Sequence, residues 1–207
     1  MIFIGDVHAK LGAYNKIITQ YNKKYTVQLG NFGFGFNYFI EDSWNSKHMF
    51  IRGNHDCPEE CRAHPNYLGD WGISTWADLN FFFVGGAYSI DYKWRREYEQ
   101  KYYTKIWWEE EEIAKKEHSK IIKLYSDYRP YLMVTHDCPP KVREAIIGKD
   151  KEEFKNRTSD ILLKKLFKLY KPRTWIFGHY HTSFNKIIDG CNFICLNELE
   201  TKEIRSY

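Results

Sequence analysis

Five short apolar runs, each released into glycine or polar residues, set the rhythm of this chain. Met1-Ile2-Phe3-Ile4 precedes Gly5-Asp6-Val7-His8, and Tyr25-Thr26-Val27-Gln28-Leu29 precedes Gly30-Asn31. Met49-Phe50-Ile51 passes through Arg52 into Gly53-Asn54-His55-Asp56. Tyr131-Leu132-Met133-Val134-Thr135 precedes His136-Asp137, and Thr174-Trp175-Ile176-Phe177 precedes Gly178-His179-Tyr180-His181. Runs of this length, rich in β-favouring residues and closed by turn formers, predict buried strands. Helical periodicity fills part of the space between them. It predicts a helix over 11–21 with Tyr14, Ile17 and Ile18 inward, one over 107–125, and one starting at Thr158 or Ser159. The last presents Leu162, Leu163, Leu166, Phe167 and Tyr170 on one face and stops at Pro172.

Closely spaced strand-like runs at 73–76 and 80–84 predict a hairpin, and so do 184–188 and 191–196 around Asp189-Gly190. The rest reads as connections: a short helix between Phe36 and Met49, a loop holding Cys57, Pro58 and His64, a polar loop from Gly85-Gly86 through Asp91, Arg95 and Arg96, and a stop at Pro139-Pro140. Alternating strands and helices at the start imply a parallel sheet with right-handed crossovers. The fold class is α/β, and the strand ends become neighbours in space.

Length and composition narrow the class. A chain of 207 residues suits one domain spanning 1–207. With 43% hydrophobic and 28% charged residues it is globular rather than disordered. The net charge of +4 is too small to call for a nucleic-acid or membrane partner. Lysine clusters near 115–123 and 164–173 read as solvated helix faces, and the many aromatics are spread as core residues are. Five cysteines suit a reducing cytoplasm, and Cys57 with Cys61 lacks the second thiol pair of a zinc site. The first residues read as a strand rather than a secretory leader, and no membrane-spanning run is visible.

The chemistry sits at the strand ends. Asp6 with His8, Asn31, Asn54 with His55, His136, and His179 with His181 are nitrogen or oxygen ligand types, each just past a predicted strand. In extended backbone, residues two apart point the same way, so Asp6 and His8 can reach one ion, and His179 and His181 repeat that spacing. Five of the eight histidines fall at such positions, a concentration that random placement would rarely produce. Oxygen and imidazole donors without thiolate favour Mn, Fe, Zn or Ni. By contrast, Glu109 to Glu112 fall in the first turn of the predicted 107–125 helix, where the helix dipole explains them. Arg52, Arg95 and Arg96 are candidates to hold a substrate phosphate in a guanidinium fork, or else form surface ion pairs.

Taken in order, Asp6-Val7-His8, Gly53-Asn54-His55-Asp56, His136 and Gly178-His179-Tyr180-His181 resemble the motif set of the calcineurin-like metallophosphoesterases. Gly85-Gly86-Ala87-Tyr88-Ser89-Ile90-Asp91 followed by Trp107-Trp108 resembles a small phage and bacterial branch of that superfamily. The resemblance implies two mixed β-sheets in a sandwich flanked by helices, with a dinuclear site at the strand ends. It implies two divalent metal ions, Mn first, one taking Asp6, His8 and His181 and the other Asn54, His136 and His179. His55 would act as general acid or transition-state stabiliser, oriented by Asp56, while metal-bound hydroxide attacks a phosphomonoester or phosphodiester.

Residue 31 departs from the pattern. The family has a bridging Asp where this chain has Asn31. Two dications about 3.5 Å apart repel by about 20 kcal/mol at an effective dielectric of about 20. An amide removes the charge between them, so one ion should bind firmly and the other weakly. Asn31 thus fits a natural departure or an inactivating change. Beside the phosphoesterase stand two further readings. A nucleic-acid phosphodiesterase or nuclease would show steep salt dependence in binding, and a decayed binding module on the same fold has Asn31 as its one supporting feature.

Overall fold

In a strand, successive side chains point to opposite faces, and the central strands of the larger sheet are buried on both. That pattern stacks the molecule in layers. The computed structural model describes residues 1–36, 46–76, 79–149 and 157–205. Strands β1 (Ile2–Ile4), β2 (Thr26–Gln28) and β3 (His48–Phe50) run parallel in one sheet. A strand near the end of the chain, β10 (Thr201–Glu203), pairs antiparallel to β1 and completes the order β10-β1-β2-β3.

The second sheet has six strands. The predicted hairpin forms between β4 (Trp71–Trp76) and β5 (Leu79–Val84). Strands β6 (Leu132–Thr135), β7 (Thr174–Phe177) and β9 (Cys191–Cys195) continue parallel to β5, and β8 (Phe184–Ile188) closes the edge as the second hairpin. Its order is β4-β5-β6-β7-β9-β8.

Alternation then assigns the layers. Phe3, Val27 and Leu29 of the first sheet pack with Phe81, Phe83, Leu132, Val134, Ile176 and Ile194 of the second, forming the core between sheets. Their sequence neighbours Phe82, Met133, Trp175, Phe177 and Phe193 face the other way. There they meet Ile121 and Tyr125 of α4 (His118–Tyr128) and Leu162, Leu163, Leu166 and Phe167 of α6 (Thr158–Leu169). On the far side of the first sheet, Ile2, Ile4 and Phe50 pack with Tyr14, Ile17 and Ile18 of α1 (Leu11–Gln20). The fold is therefore α/β, two mixed sheets flanked by helices, as the resemblance implied. Among the described residues no helix is long and apolar enough to cross a membrane, and all five cysteines are free thiols.

Several connections differ from expectation. The stretch after Asp56 is a helix, α2 (Pro58–Ala63), opened by proline with Glu59 and Glu60 in its first turn. The polar loop through Arg95 and Arg96 is also helical, α3 (Tyr92–Tyr102), beginning beyond Asp91. Only Arg95 of α3 is buried, so no apolar stripe marked it. The 107–125 helix starts late: a 3-10 turn covers Lys115–Glu117 and α4 follows. Glu109 to Glu112 are thus not in a helical first turn. Glu112 Oε1 instead accepts the Ser159 N–H at 2.6 Å and its hydroxyl at 2.9 Å, so a distant carboxylate caps α6 where a local hydroxyl was expected. Strand β6 ends at Thr135, ahead of the prolines as expected, but Pro140 also opens a helix that was not expected, α5 (Pro140–Ile147). The short helix expected before Met49 lies outside the described residues.

Candidate metal centre

The five ligand-bearing strand ends, three from the first sheet and two from the second, meet at one edge of the sandwich. Bringing them so close needs glycine. A Cβ at Gly53 would fall on the Asn31 Oδ1, and one at Gly178 on the Asp6 Oδ1. The crowding also shows in the backbone. His8, Asn31, His179 and His181 all have positive φ, at 46°, 55°, 72° and 47°. Left-handed conformations are uncommon outside glycine, though Asn and His adopt them more readily than most, and they collect at functional sites.

Asp6, His8 and His181 each offer one donor atom, all within 4.8 Å of one another. Asp6 Oδ2 lies 3.2 Å from His181 Nε2 and 3.4 Å from His8 Nε2, and the two imidazole nitrogens are 2.8 Å apart. Asp6 Oδ1 accepts the His179 N–H at 3.0 Å. Burial works to raise the Asp6 carboxyl, but the charge that His136 takes up in acid and the hydrogen bonds from His181, His8 and His179 outweigh it and hold it well below the ordinary carboxylate range. It stands as an anion, the form a metal requires.

The second group is built from acceptors. His136 Nδ1 lies 2.6 Å from the Leu29 carbonyl oxygen, which can only accept, so the ring proton sits on Nδ1 and Nε2 keeps its lone pair. Asn54 donates its Nδ2 to Ser89 Oγ at 2.8 Å, turning its Oδ1 toward His136 Nε2 at 3.1 Å. Two lone pairs face each other there, an arrangement that a cation resolves. His179 adds a buried Nδ1 without a partner among the described residues, its ring centroid 5.0 Å from that of His136. Burial pushes both His136 and His179 down to about 4, keeping them neutral as ligands must be. Both donor sets suit a divalent ion.

Asn31 lies between the two groups. Its Nδ2 donates to Asp6 Oδ2 at 3.1 Å, and its Oδ1 accepts the His55 backbone N–H at 2.9 Å. A donor thus faces the very oxygen that His8 and His181 share.

The remaining sequence candidates separate. His55 lies with its ring 3.0 Å from Arg95 Nη2, and Arg95 is steadied by Asp91 at 2.9 Å and the Ile106 carbonyl at 3.0 Å. Burial, with the Arg95 charge behind it, pushes His55 down to about 2. Asp56 does not orient that ring. Its two oxygens accept four backbone N–H groups, from Phe32, Gly33, Phe34 and Gly53, at 2.7 to 3.2 Å, so it fastens the loops that carry Asn31 and Asn54. Arg52 is buried and does not line the cavity at the centre, its Nε 2.6 Å from Asp70 Oδ1 and its Nη1 2.8 Å from the Glu111 carbonyl oxygen. Arg96 lies over the Trp107 ring, 5.1 Å from its centroid. Of the three arginines only Arg95 contacts the centre among the described residues.

Sequence reading missed the residues behind and beside the ligands. Ser89 holds the Asn54 amide, and Glu111 Oε1 in turn accepts the Ser89 N–H at 2.9 Å. Burial pushes Glu111 up to about 7 against those hydrogen bonds. The signal available was the Gly85-Gly86 pair, since Gly86 donates its N–H to the Arg52 carbonyl at 2.8 Å and brings this loop against the third strand end. The centre opens into a cavity of about 490 Å³ that Asn31, Asn54, His55, His179 and His181 line together with Arg143, Lys149, Arg157 and Tyr180. Basic residues there carry no periodic mark in sequence.

Comparison with known proteins follows the same lines. The sequence profile of the calcineurin-like phosphoesterases matches residues 1–183. No curated protein matches the chain. Among solved structures, a Thermotoga maritima protein determined by NMR is 12% identical with a TM-score of 0.42, covering 99% of this chain and 92% of its own. An archaeal phosphodiesterase is 14% identical with a TM-score of 0.41, covering 96% and 84%. Phosphopantetheinyl hydrolase from Mycobacterium tuberculosis is 11% identical with a TM-score of 0.46, covering 95% and 89%. With its ordered motifs gathered at one sheet edge and its profile match over most of its length, this chain belongs to the calcineurin-like phosphoesterase family.

Proposed function

We propose that the protein is a metal-dependent hydrolase of phosphomonoesters or phosphodiesters, with one firm and one weak divalent site. The observation that carries the reading is the convergence of Asp6, His8 and His181 within 4.8 Å, beside the paired lone pairs of Asn54 and His136. Asp6, His8 and His181 would hold the first ion, and Asn54, His136 and His179 the second. Divalent ions, Mn foremost with Fe, Zn or Ni as alternatives, supply Lewis acidity and a more acidic water when bound.

The chain's own groups divide the remaining work. Arg95 and the neutral His55 form a fork of donors at the mouth of the centre, suited to a phosphoryl or leaving-group oxygen. Burial, with the Arg95 charge behind it, disfavours a proton on His55, so its role is to stabilise the transition state rather than to act as a strong acid. Ser89 fixes which end of the Asn54 amide faces the ion, and the Leu29 carbonyl fixes the His136 tautomer. Asn31 weakens the second site, because it brings an N–H where a bridging ligand would bring charge.

The test is hydrolysis of p-nitrophenyl phosphate and bis-p-nitrophenyl phosphate with Mn, comparing the protein with its Asn31→Asp variant. Activity in both supports the reading, and the preferred ester names the class. Activity only in the variant assigns the scaffold to catalysis and Asn31 to its suppression. Inactivity of both across Mn, Fe, Zn and Ni overturns it.

A further inference from the structure

Tyr180 stands between His179 and His181, and both neighbours hold positive φ, at 72° and 47°. Backbone of that kind persists where its surroundings over-determine it, which calls for an anchor on the residue between. The Tyr180 hydroxyl supplies one. It donates to Asp137 Oδ1 at 2.5 Å, the length of a hydroxyl-to-carboxylate bond. Asp137 directly follows His136, so this bond ties the loop after β7 to the loop after β6, and each loop carries ligands. Past the strand ends the backbone link is longer, with the Gly178 N–H donating to the His136 carbonyl oxygen at 3.2 Å. The acceptor is itself fixed. Asp137 is buried, its Oδ1 also accepts the Cys138 N–H at 2.7 Å, and its carbonyl oxygen accepts the Thr135 hydroxyl. That hydroxyl in turn accepts the Trp175 Nε1–H at 2.8 Å, within the core. The tyrosine ring meets a ligand directly. It lies edge-on to the His179 imidazole with centroids 4.9 Å apart, and that imidazole lies 5.0 Å from the one of His136.

We propose that Tyr180 is a positioning residue of the second metal site, its hydroxyl on Asp137 and its ring on His179 together setting the spacing of His136 and His179. Those two imidazoles come from different strands and must close on one ion. Metal affinity is sensitive to the partners that orient ligands, and a tether between two ligand loops removes their freedom before the ion arrives. Tyr180 acts through the ligands rather than on substrate. The inference rests on the assignment of His136 and His179 to the second ion, whereas the tether itself needs no metal.

Tyr180→Phe keeps the ring on His179 and removes the tether. Mn titration followed by the paramagnetic resonance of the free ion tests it, in the protein and in its Asn31→Asp variant, where the second ion binds more firmly. Tyr180→Phe should weaken the second ion by about 10- to 100-fold and leave the first unchanged. Asp137→Asn should weaken the same ion, and Tyr180→Phe added to it should cost little more, since the two groups share one bond. The visible bands of Co bound in place of Mn should shift in Tyr180→Phe, a change in ligand geometry that lost stability alone does not produce. Hydrogen exchange in chelated protein reads the tether without metal, and the Cys138 and His179 amides should exchange faster together in Tyr180→Phe. Two ions held by the variant as by its parent, with unchanged Co bands, overturn the positioning role whatever happens to the Tm. Equal weakening of both ions overturns it too, because the tether would then serve the fold rather than the second site. Faster exchange of both amides, with no ion taken up by parent or variant, sinks the metal reading and the second-site role with it while the tether stands.

Discussion

The amide nitrogen of Asn31 lies 3.1 Å from Asp6 Oδ2 and donates a hydrogen bond to it. The oxygen so engaged is the one that His8 and His181 approach. The contact stabilises the metal-free protein and competes with the first ion for its carboxylate. In the family's usual arrangement the same position carries a second negative charge, which needs the ions to be tolerable.

Asn31→Asp should therefore lower stability without metal and raise it with metal. Two carboxylates at this distance repel in a buried site, where partial protonation would relieve them. Thermal unfolding of chelated protein should show the variant melting several degrees lower, and Mn should raise its Tm more than that of the parent. A variant that melts as the parent does in chelator would show that Asp6 does not feel residue 31.

Ser89→Ala should act through Asn54. Loss of the 2.8 Å bond releases the amide to turn, so its Oδ1 no longer faces His136. Metal affinity should fall about 10- to 100-fold, as removal of such outer partners does elsewhere. Ser89→Thr should restore most of it, which separates the hydroxyl from mere packing. Competition with a fluorescent chelator reads both.

Arg95→Met should lower kcat/KM by about 10- to 100-fold, consistent with the loss of one charge-assisted hydrogen bond to a phosphoryl oxygen. Arg52→Met should instead break the partly buried contact with Asp70 and reduce stability. Steady-state kinetics beside urea unfolding distinguishes a substrate arginine from a structural one.

Asp56→Ala should unfold the loops. Four backbone N–H donors lose their acceptor at once, and each buried donor left unsatisfied costs about 1–3 kcal/mol. The midpoint in urea should fall sharply. Near-normal stability with a selective loss of kcat would return Asp56 to a catalytic role.

Glu111 makes stability depend on pH. Its carboxyl is raised from 4.5 to about 7, first by burial. Between those values the folded protein keeps a proton that the unfolded chain has released, so this group makes stability fall as pH rises through the window. The full effect is about 3 kcal/mol at most. Glu111→Gln should flatten that part of the stability curve, measured by urea unfolding between pH 4.5 and 7.5, and an unchanged slope would contradict the assignment.

The order of strands and ligands was legible in the chain, because buried strands between two layers must be apolar on both faces and glycine must stand where their ends crowd together. Asp6, His8, Asn31, Asn54, His136, His179 and His181 could be named for that reason. Helix α3 could not, since its packing rests on Arg95 rather than on an apolar stripe. Nor could the irregular segment before α4, whose Glu111 and Glu112 bond to groups far along the chain.

Local pattern thus singled out the ligand-type residues that gather at the strand ends. Three-dimensional packing decided what each one faces: Arg95 rather than Asp56 against His55, Asp70 rather than substrate against Arg52, and Ser89 behind Asn54. Hydrogen-bond partners are chosen by distance in space, and periodicity along a chain encodes burial but not the identity of the neighbour.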